Sequence, residues 1–248
     1  MKQPFFSVII PTLNEEKYIS RLLAALSRQQ FRDFEVIIVD GNSNDKTLDV
    51  ASKFAAEITL NLMHANKRNL SYQRNQGAFK ARGEYLVFLD ADTMPPADYL
   101  KLIKSTINIK HVTLLTTYLK GDDQRWFYKY LMRGVNMTIQ IFKFIDKQFA
   151  CGANLIIRRD KFLAVRGFRE DLTMSEDHDL TLRLRAMGCR LTIIKQTQLE
   201  LSMRRIRSEG LTSIVFKYMV AIVHMLLLGP MTKKIYNYPM GGHVHDSD

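Results

Sequence analysis

Apolar runs alternate with amphipathic stretches through the first third of the chain, and the two differ in period. Phe5–Ile10 is an apolar-rich run stopped by Pro11 and reads as a strand. From Glu15 to about Gln30, the spacing of Ile19, Leu22, Leu23 and Leu26 predicts a helix. Asn14 is its expected N-cap, and Glu15 and Glu16 sit at the positive end of its dipole. A second strand, Glu35–Val39, ends in Asp40; Gly41–Asp45 form a loop, and Asp45 caps a helix from Lys46 to about Ala56. A third strand at Ile58–Leu62 leads into a polar helix from Lys67 to Arg82, closed by Gly83. Tyr85–Leu89 is an unbroken apolar run, the pattern of a strand buried on both faces. Strands alternating with helices in this way predict an α/β fold, a mostly parallel central sheet flanked by helices with right-handed crossovers. Asp40 and the triplet Asp90-Ala91-Asp92 then emerge at carboxyl strand ends, where open α/β sheets place their ligands.

The second half is less regular. Val112–Tyr118 reads as a strand with a polar turn at Gly121–Asp123. Trp126–Ile145 is helical in pattern and rich in Met, Phe and Tyr, which suits either core or an apolar acceptor wall. Gly152–Asn154 begins the strand Leu155–Ile157, and Arg158-Arg159 open a short helix to Val165. Ser175-Glu176-Asp177-His178-Asp179 precede the stripe Leu180, Leu184, Met187, as an N-capped helix with acids at its dipole would. After Gly210 the chain turns apolar, but the run is shorter than the ~20 residues of a membrane span and Lys217 interrupts it. Ser213, Lys217, Ala221 and His224 share one helical face, which fits an interfacial helix, a helix packed on the domain, or a homodimer contact. The expected division is residues 1–210 (halves 1–93 and 94–210), followed by the helix and a flexible tail over 211–248, with Gly241–His245 in the tail.

Charge and cysteine content narrow the chemistry. A formal net charge of +11 predicts an anionic partner: a nucleotide phosphate, nucleic acid or acidic lipid. No basic groove interleaved with aromatics is evident, so nucleic acid is not expected. Only two cysteines, Cys151 and Cys189, and no secretory signal before the first strand point to a reducing, cytoplasmic setting. Cys151 has no evident base beside it and reads as a small buried thiol. Asp90 and Asp92 are hard oxygen ligands suited to Mg²⁺ or Mn²⁺, with water and phosphate oxygens completing the shell. A lone D-x-D is most often a solvated turn, so its company decides.

That company resembles a known family. Val8-Ile9-Ile10-Pro11-Thr12-Leu13-Asn14-Glu15, then Val39-Asp40-Gly41-Asn42-Ser43-Asn44-Asp45-Lys46-Thr47, then Asp90-Ala91-Asp92 resemble the donor-binding half of family 2 glycosyltransferases. The likeness continues through Gly152-Ala153-Asn154 and Ser175-Glu176-Asp177, about residues 4 to 210. It implies an A-type glycosyltransferase fold and inverting transfer from a nucleotide-activated sugar, UDP by default, to a sugar or lipid-linked acceptor. By the same resemblance Asp40 receives the uracil edge, with Pro11, Leu13 and Glu15 lining its pocket. Arg74, in an R-N-x-G segment, reaches the diphosphate, and Gly152 and Asn154 lie against the donor sugar. Asp92 holds the metal, with Asp90 and Ala91 beside it on the donor. Asp177 is the general base, which Glu176 orients. Among Arg204, Arg205 and Arg207, one closes over the diphosphate from a C-terminal loop, and that segment implies peripheral membrane contact.

Rival readings differ in class. A polyprenyl-phosphate sugar transferase typically follows its D-x-D with L-Q-x-P-P, where this chain has Thr93-Met94-Pro95-Pro96. A nucleotidyltransferase wants a glycine-rich basic loop after the first strand, and Pro11–Glu15 is neither. A non-catalytic basic module accounts for the charge but not for acids at several strand ends.

Overall fold

The computed structural model describes residues 3–172 and 174–228. One eight-stranded sheet carries the site, in the order β3-β2-β1-β4-β7-β6-β8-β5. β1 (Phe6–Thr12), β2 (Phe34–Asp40), β3 (Leu60–His64) and β4 (Tyr85–Leu89) are all parallel, linked by α1 (Ile19–Ser27), α2 (Thr47–Ser52) and α3 (Leu70–Lys80). The remaining strands are β5 (Thr93–Met94), β6 (Leu114–Gly121), β7 (Asn154–Arg158) and β8 (Leu191–Leu201). Here the parallel pattern breaks: β7 runs antiparallel between β4 and β6, β8 pairs parallel with β6, and β5 antiparallel with β8. The sheet is therefore parallel in its first half and mixed in its second.

β1, β2 and β4 are buried along their whole length, as expected of strands covered on both faces. α3 crosses β1 closely: a Cβ on Gly77 would lie 2.6 Å from Cγ2 of Ile9, so a helix glycine is required there.

Several boundaries depart from the sequence expectation for identifiable reasons. Pro11 does not stop β1, which continues to Thr12. Pairing with β4 ends at Ile9, so the missing N–H of Pro11 removes no ladder bond on that side. Asn14 is not a helix cap. It sits in the left-handed region (φ 53°), its N–H donates to Ser43 Oγ, and its Oδ1 accepts from the N–H of Asn44. α1 accordingly starts only at Ile19. Asp45 does hold the start of α2, accepting from the N–H of Thr47 at 3.0 Å. α2 ends early at Ser52, and β3 lies two residues later than expected.

The second half adds α4 (Tyr99–Lys110), α5 (Trp126–Phe144), α6 (Arg159–Ala164), α7 (Glu176–Ala186), α8 (Arg204–Glu209) and α9 (Leu211–Leu228). Ser175, the expected cap of α7, occupies the cap position at φ 61° but makes no side-chain cap bond. Met187 is 46% exposed, so the buried stripe of α7 is Leu180 and Leu184 only. On α9, Ser213, Lys217 and His224 are half-buried, with Lys217 paired to Glu209, while Phe216 and Met219 face outward. The side chain of Ala221 and the segment Gly241–His245 lie outside the described residues. Among the described residues, no helix is long and apolar enough to cross a membrane.

Candidate active site

At the carboxyl edge of the sheet a small cleft is lined by Tyr18, Asp92, Asp122 and Ser202, and the start of α7 is joined to this edge through Arg74. Asp40 closes the top of β2. Its Oδ1 accepts from Thr12 Oγ1 (3.0 Å) and Ser43 Oγ (2.5 Å), and its Oδ2 from the N–H of Ser43 (2.8 Å). Gln73, which the sequence reading passed over, ties β1 to β2 from below. Its Nε2 donates to the carbonyls of Thr12 (2.9 Å) and Val39 (2.7 Å). A buried glutamine on a polar helix carried no distinguishing signal in the sequence. Pro11 is buried beside this junction and Leu13 is half-buried at its edge.

Asp90 and Asp92 lie beyond β4 as expected, with Ala91 buried between them. Each meets an arginine. Arg74 Nη2 reaches Asp90 at 2.9 Å and its Nη1 reaches Glu176 at 2.9 Å. The Arg74 side chain is only 3% exposed and forms a buried strut between the D-x-D and α7. Gly152 belongs to this arrangement, since a Cβ there would sit 2.7 Å from Arg74 Nη1. Arg204 is the second arginine. It forks onto Glu15 with two bonds of 2.8 Å, reaches Asp92 at 3.0 Å, and lies over the Tyr18 ring. Of the three C-terminal arginines, Arg204 is the one that the described pairings bring to Glu15 and Asp92. Arg207 pairs with Asp122, and Arg205 lies 4.0 Å from Glu209. Burial raises the Glu15 carboxyl to about 7, with Asp92 and Asp90 adding to it and Arg204 opposing it. Burial likewise lifts Asp92, against the pull of Arg204.

Asp177 heads α7. Its Oδ2 accepts from the N–H of Gly152 at 2.9 Å and its Oδ1 from the N–H of His178 at 2.8 Å. Burial, and then the charge of Glu176, hold its carboxyl well above the ordinary range, against those two N–H groups and Arg74. A half-buried carboxylate so raised is suited to proton transfer near neutral pH. His178, adjacent in sequence, is structural: burial lowers it to about 4 and it packs against Phe142 and Phe149.

One further residue differs from expectation and one matches it. Asn154, expected against the donor sugar, is fully buried: its Oδ1 accepts from Tyr99 Oη (2.7 Å) and its Nδ2 donates to the carbonyl of Thr117 (2.8 Å). Its side chain fastens β7 to β6 and α4, a long-range role that motif spacing does not reveal. Burial pushes the Cys151 thiol up to about 12, so it is no thiolate nucleophile. Among the described residues, no group of three or more His, Cys, Asp or Glu side chains is placed to hold a metal by itself.

Comparisons with known proteins identify the family and the fold. The Staphylococcus aureus poly(ribitol-phosphate) beta-N-acetylglucosaminyltransferase TarS is 36% identical over 124 residues, 48% of this chain. The chain spans only 22% of that relative's length. A Mycobacterium tuberculosis PGL/p-HBAD biosynthesis glycosyltransferase is 30% identical over 190 residues, 74% of this chain and 70% of the relative. Among solved structures, TarS residues 1–349 in complex with UDP-GlcNAc superpose with a TM-score of 0.68 at 27% identity, covering 79% of this chain and 58% of that one. The mannosyltransferase PcManGT of Pyrobaculum calidifontis, in complex with GDP-Man and Mn²⁺, shares the fold: TM-score 0.67, 21% identity, 92% of this chain and 72% of that one. Residues 7–165 match the sequence model of glycosyl transferase family 2, and the chain belongs to that family.

Proposed function

We propose that the chain transfers a sugar from a nucleoside diphosphate donor, UDP by default, to an acceptor hydroxyl with inversion at the anomeric carbon. The observation that supports this best is Asp177, a carboxylate with a raised proton affinity held by two backbone N–H groups. In this reading Asp177 takes the proton of the acceptor hydroxyl, and the oxygen forms its bond to the anomeric carbon. The bond from that carbon to the diphosphate oxygen breaks, and the nucleoside diphosphate leaves with the electron pair. Glu176, fixed by Arg74, orients the acceptor side. Arg204 pairs with Glu15 and Asp92 at the donor site, where a guanidinium offsets charge developing on a leaving diphosphate.

Asp92 and Asp90 are the residues that would hold Mg²⁺ or Mn²⁺. Two hard carboxylates fit an ion that takes its other ligands from water and phosphates, and the Mn²⁺ complex of a fold neighbour is consistent with them. When bound, the ion neutralises diphosphate charge. UDP is favoured because TarS has been solved with UDP-GlcNAc, and Asp40 stands at the loop where a base edge would lie. The acceptor is a sugar or a lipid-linked sugar. A cytoplasmic site, peripheral at a membrane, is in keeping with the free thiols of Cys151 and Cys189 and with the outward apolar side chains of α9.

Replacing the base tests the assignment. Asp177→Asn is expected to bind UDP in calorimetry as the parent does, while transfer falls by about two to four orders of magnitude. Near-parental transfer by a folded variant would move the base to Glu176 or Asp179. Equal UDP affinity with Mg²⁺ and with excess chelator would remove the metal from the donor site.

A further inference from the structure

α5 carries apolar side chains on two opposite faces. Tyr128, Met132, Ile139 and Phe142 are buried against the sheet. Facing away from it, Trp126 is 72% exposed, Tyr130 61%, Met137 58%, Ile141 48% and Phe144 91%. Their spacing places them on one stripe along the helix, roughly 27 Å long at 1.5 Å per residue. Six of the thirteen exposed large hydrophobics among the described residues belong to α5 or to Ile145 just after it, so the exposure is concentrated rather than scattered. A helix apolar on both sides is normally enclosed, and core packing explains only the inner face.

The surroundings of the outer stripe say what covers it. Lys129, Arg133 and Lys143 flank it and no acid stands on the exposed side of the helix between Trp126 and Phe144. Lys143 also feels Lys110 and Lys195 as like charges, so positive charge gathers along this edge beyond the helix itself. Trp126 and Tyr130 contact each other edge-on at the N-terminal end, and both residue types suit the boundary between lipid and water. An outward stripe of aromatic and long aliphatic side chains bordered by lysine and arginine matches an anionic lipid surface in both polarity and charge. A second protein copy would meet the same positive flank and be repelled by it.

We propose that the outer face of α5 seats this protein on an anionic membrane, with the Trp126–Phe144 stripe in the interfacial layer and Lys129, Arg133 and Lys143 at lipid phosphates. The sequence leaves the C-terminal helix as an interfacial helix, a packed helix or a dimer contact; in this proposal α5 is the principal membrane surface. The consequence for catalysis rests on the function proposed above. Asp122 lines the small cleft beside Asp92, and Trp126 opens α5 four residues later in the chain, so the lipid surface would lie near that cleft.

Trp126 is the chain's single tryptophan and so reports on this face directly. Full-length protein titrated with phosphatidylglycerol vesicles is expected to show a blue shift of Trp126 emission and quenching by brominated acyl chains. Phosphatidylcholine vesicles are expected to bind at least tenfold more weakly. Ile141→Ser with Phe144→Ser, both exposed and away from the cleft, is expected to lower phosphatidylglycerol partitioning by tenfold or more. Phe216→Ser with Met219→Ser on α9 is expected to leave the Trp126 shift in place. The proposal is overturned by Trp126 emission unchanged at saturating phosphatidylglycerol, or by a shift that needs only higher protein concentration and accompanies a dimer mass. It is equally overturned if the α9 pair abolishes binding and the α5 pair does not. UDP affinity measured in the same samples separates the two ideas, because loss of nucleotide binding defeats the proposed function while leaving the vesicle result standing.

Discussion

The two halves of the sheet place their acids by different means. In the first, Asp40 ends a buried strand, and its carboxylate is satisfied by neighbours from its own loop and the adjacent strand end, Ser43 and Thr12. In the second, Asp177 opens a helix, and Gly152, 25 residues upstream, supplies one of its two N–H donors. The first arrangement is built mainly from local chain geometry. The second draws on the later part of the chain: Gly152, just before β7, lies beside Arg74, and Glu176 at the start of α7 pairs with it. Asp40 and Asp90 therefore sit at the ends of parallel strands, and Asp177, the proposed base, sits where the two halves meet.

Arg74 is the place to break that meeting. Arg74→Met keeps much of the volume but leaves Asp90 and Glu176 without their shared partner. Removing one member of a buried ion-pair network costs about 3–5 kcal/mol. Because the Asp90 side chain is 38% exposed, water takes up part of its charge, and about 3 kcal/mol is expected. Denaturant unfolding measures the stability, and transfer is expected to fall further than stability alone explains because Glu176 loses its anchor. A change below 1 kcal/mol would mean that the halves are joined elsewhere.

Gly77→Ala sharpens the same contrast from the parallel side. The added methyl meets Ile9 Cγ2 at 2.6 Å and Val39 Cγ2 at 3.1 Å, so α3 must lift off β1 and β2. Overpacking of this kind costs about 1–3 kcal/mol, beyond the 0.5–1 kcal/mol that alanine returns as a better helix former. Thermal unfolding that shows a gain in stability would contradict the close approach.

How much was legible follows the same division. β4 was readable to the residue because a strand covered on both faces has no polar interruptions. Asp40, Asp90 and Asp92 were legible because a strand end is a local feature. Asn14 was misjudged since its left-handed backbone depends on Ser43 and Asn44, about thirty residues away. α4 and β8 drew no expectation, although Tyr99, Leu100, Ile103 and Ile107 do form a helical stripe. β8 alternates only partly and shifts register between Thr117 and Tyr118 of its partner. The roles of Arg74 and Asn154 were beyond reach, because each is defined by partners on other elements: Asp90 and Glu176 for one, Tyr99 and Thr117 for the other.

The smallest expected effect is a displacement on the pH axis. A general base works only when ionised, so activity falls tenfold for each unit of pH below its pKa. An unperturbed aspartate would put that fall near pH 4. Burial first, and the Glu176 charge second, raise the Asp177 carboxyl, so the acid limb of kcat/KM is expected clearly above that value. Glu176→Gln removes the second cause and leaves the first. The charge on Glu176 disfavours ionisation of Asp177, and removing it also frees Arg74 to favour the ionised form, so both changes move the limb to lower pH. Since burial is the larger cause, the limb in the variant should still stand above pH 4. A parental limb at or below pH 4 would show that Asp177 titrates as an open carboxylate. A limb that does not move in Glu176→Gln would show that the two acids at the head of α7 act independently.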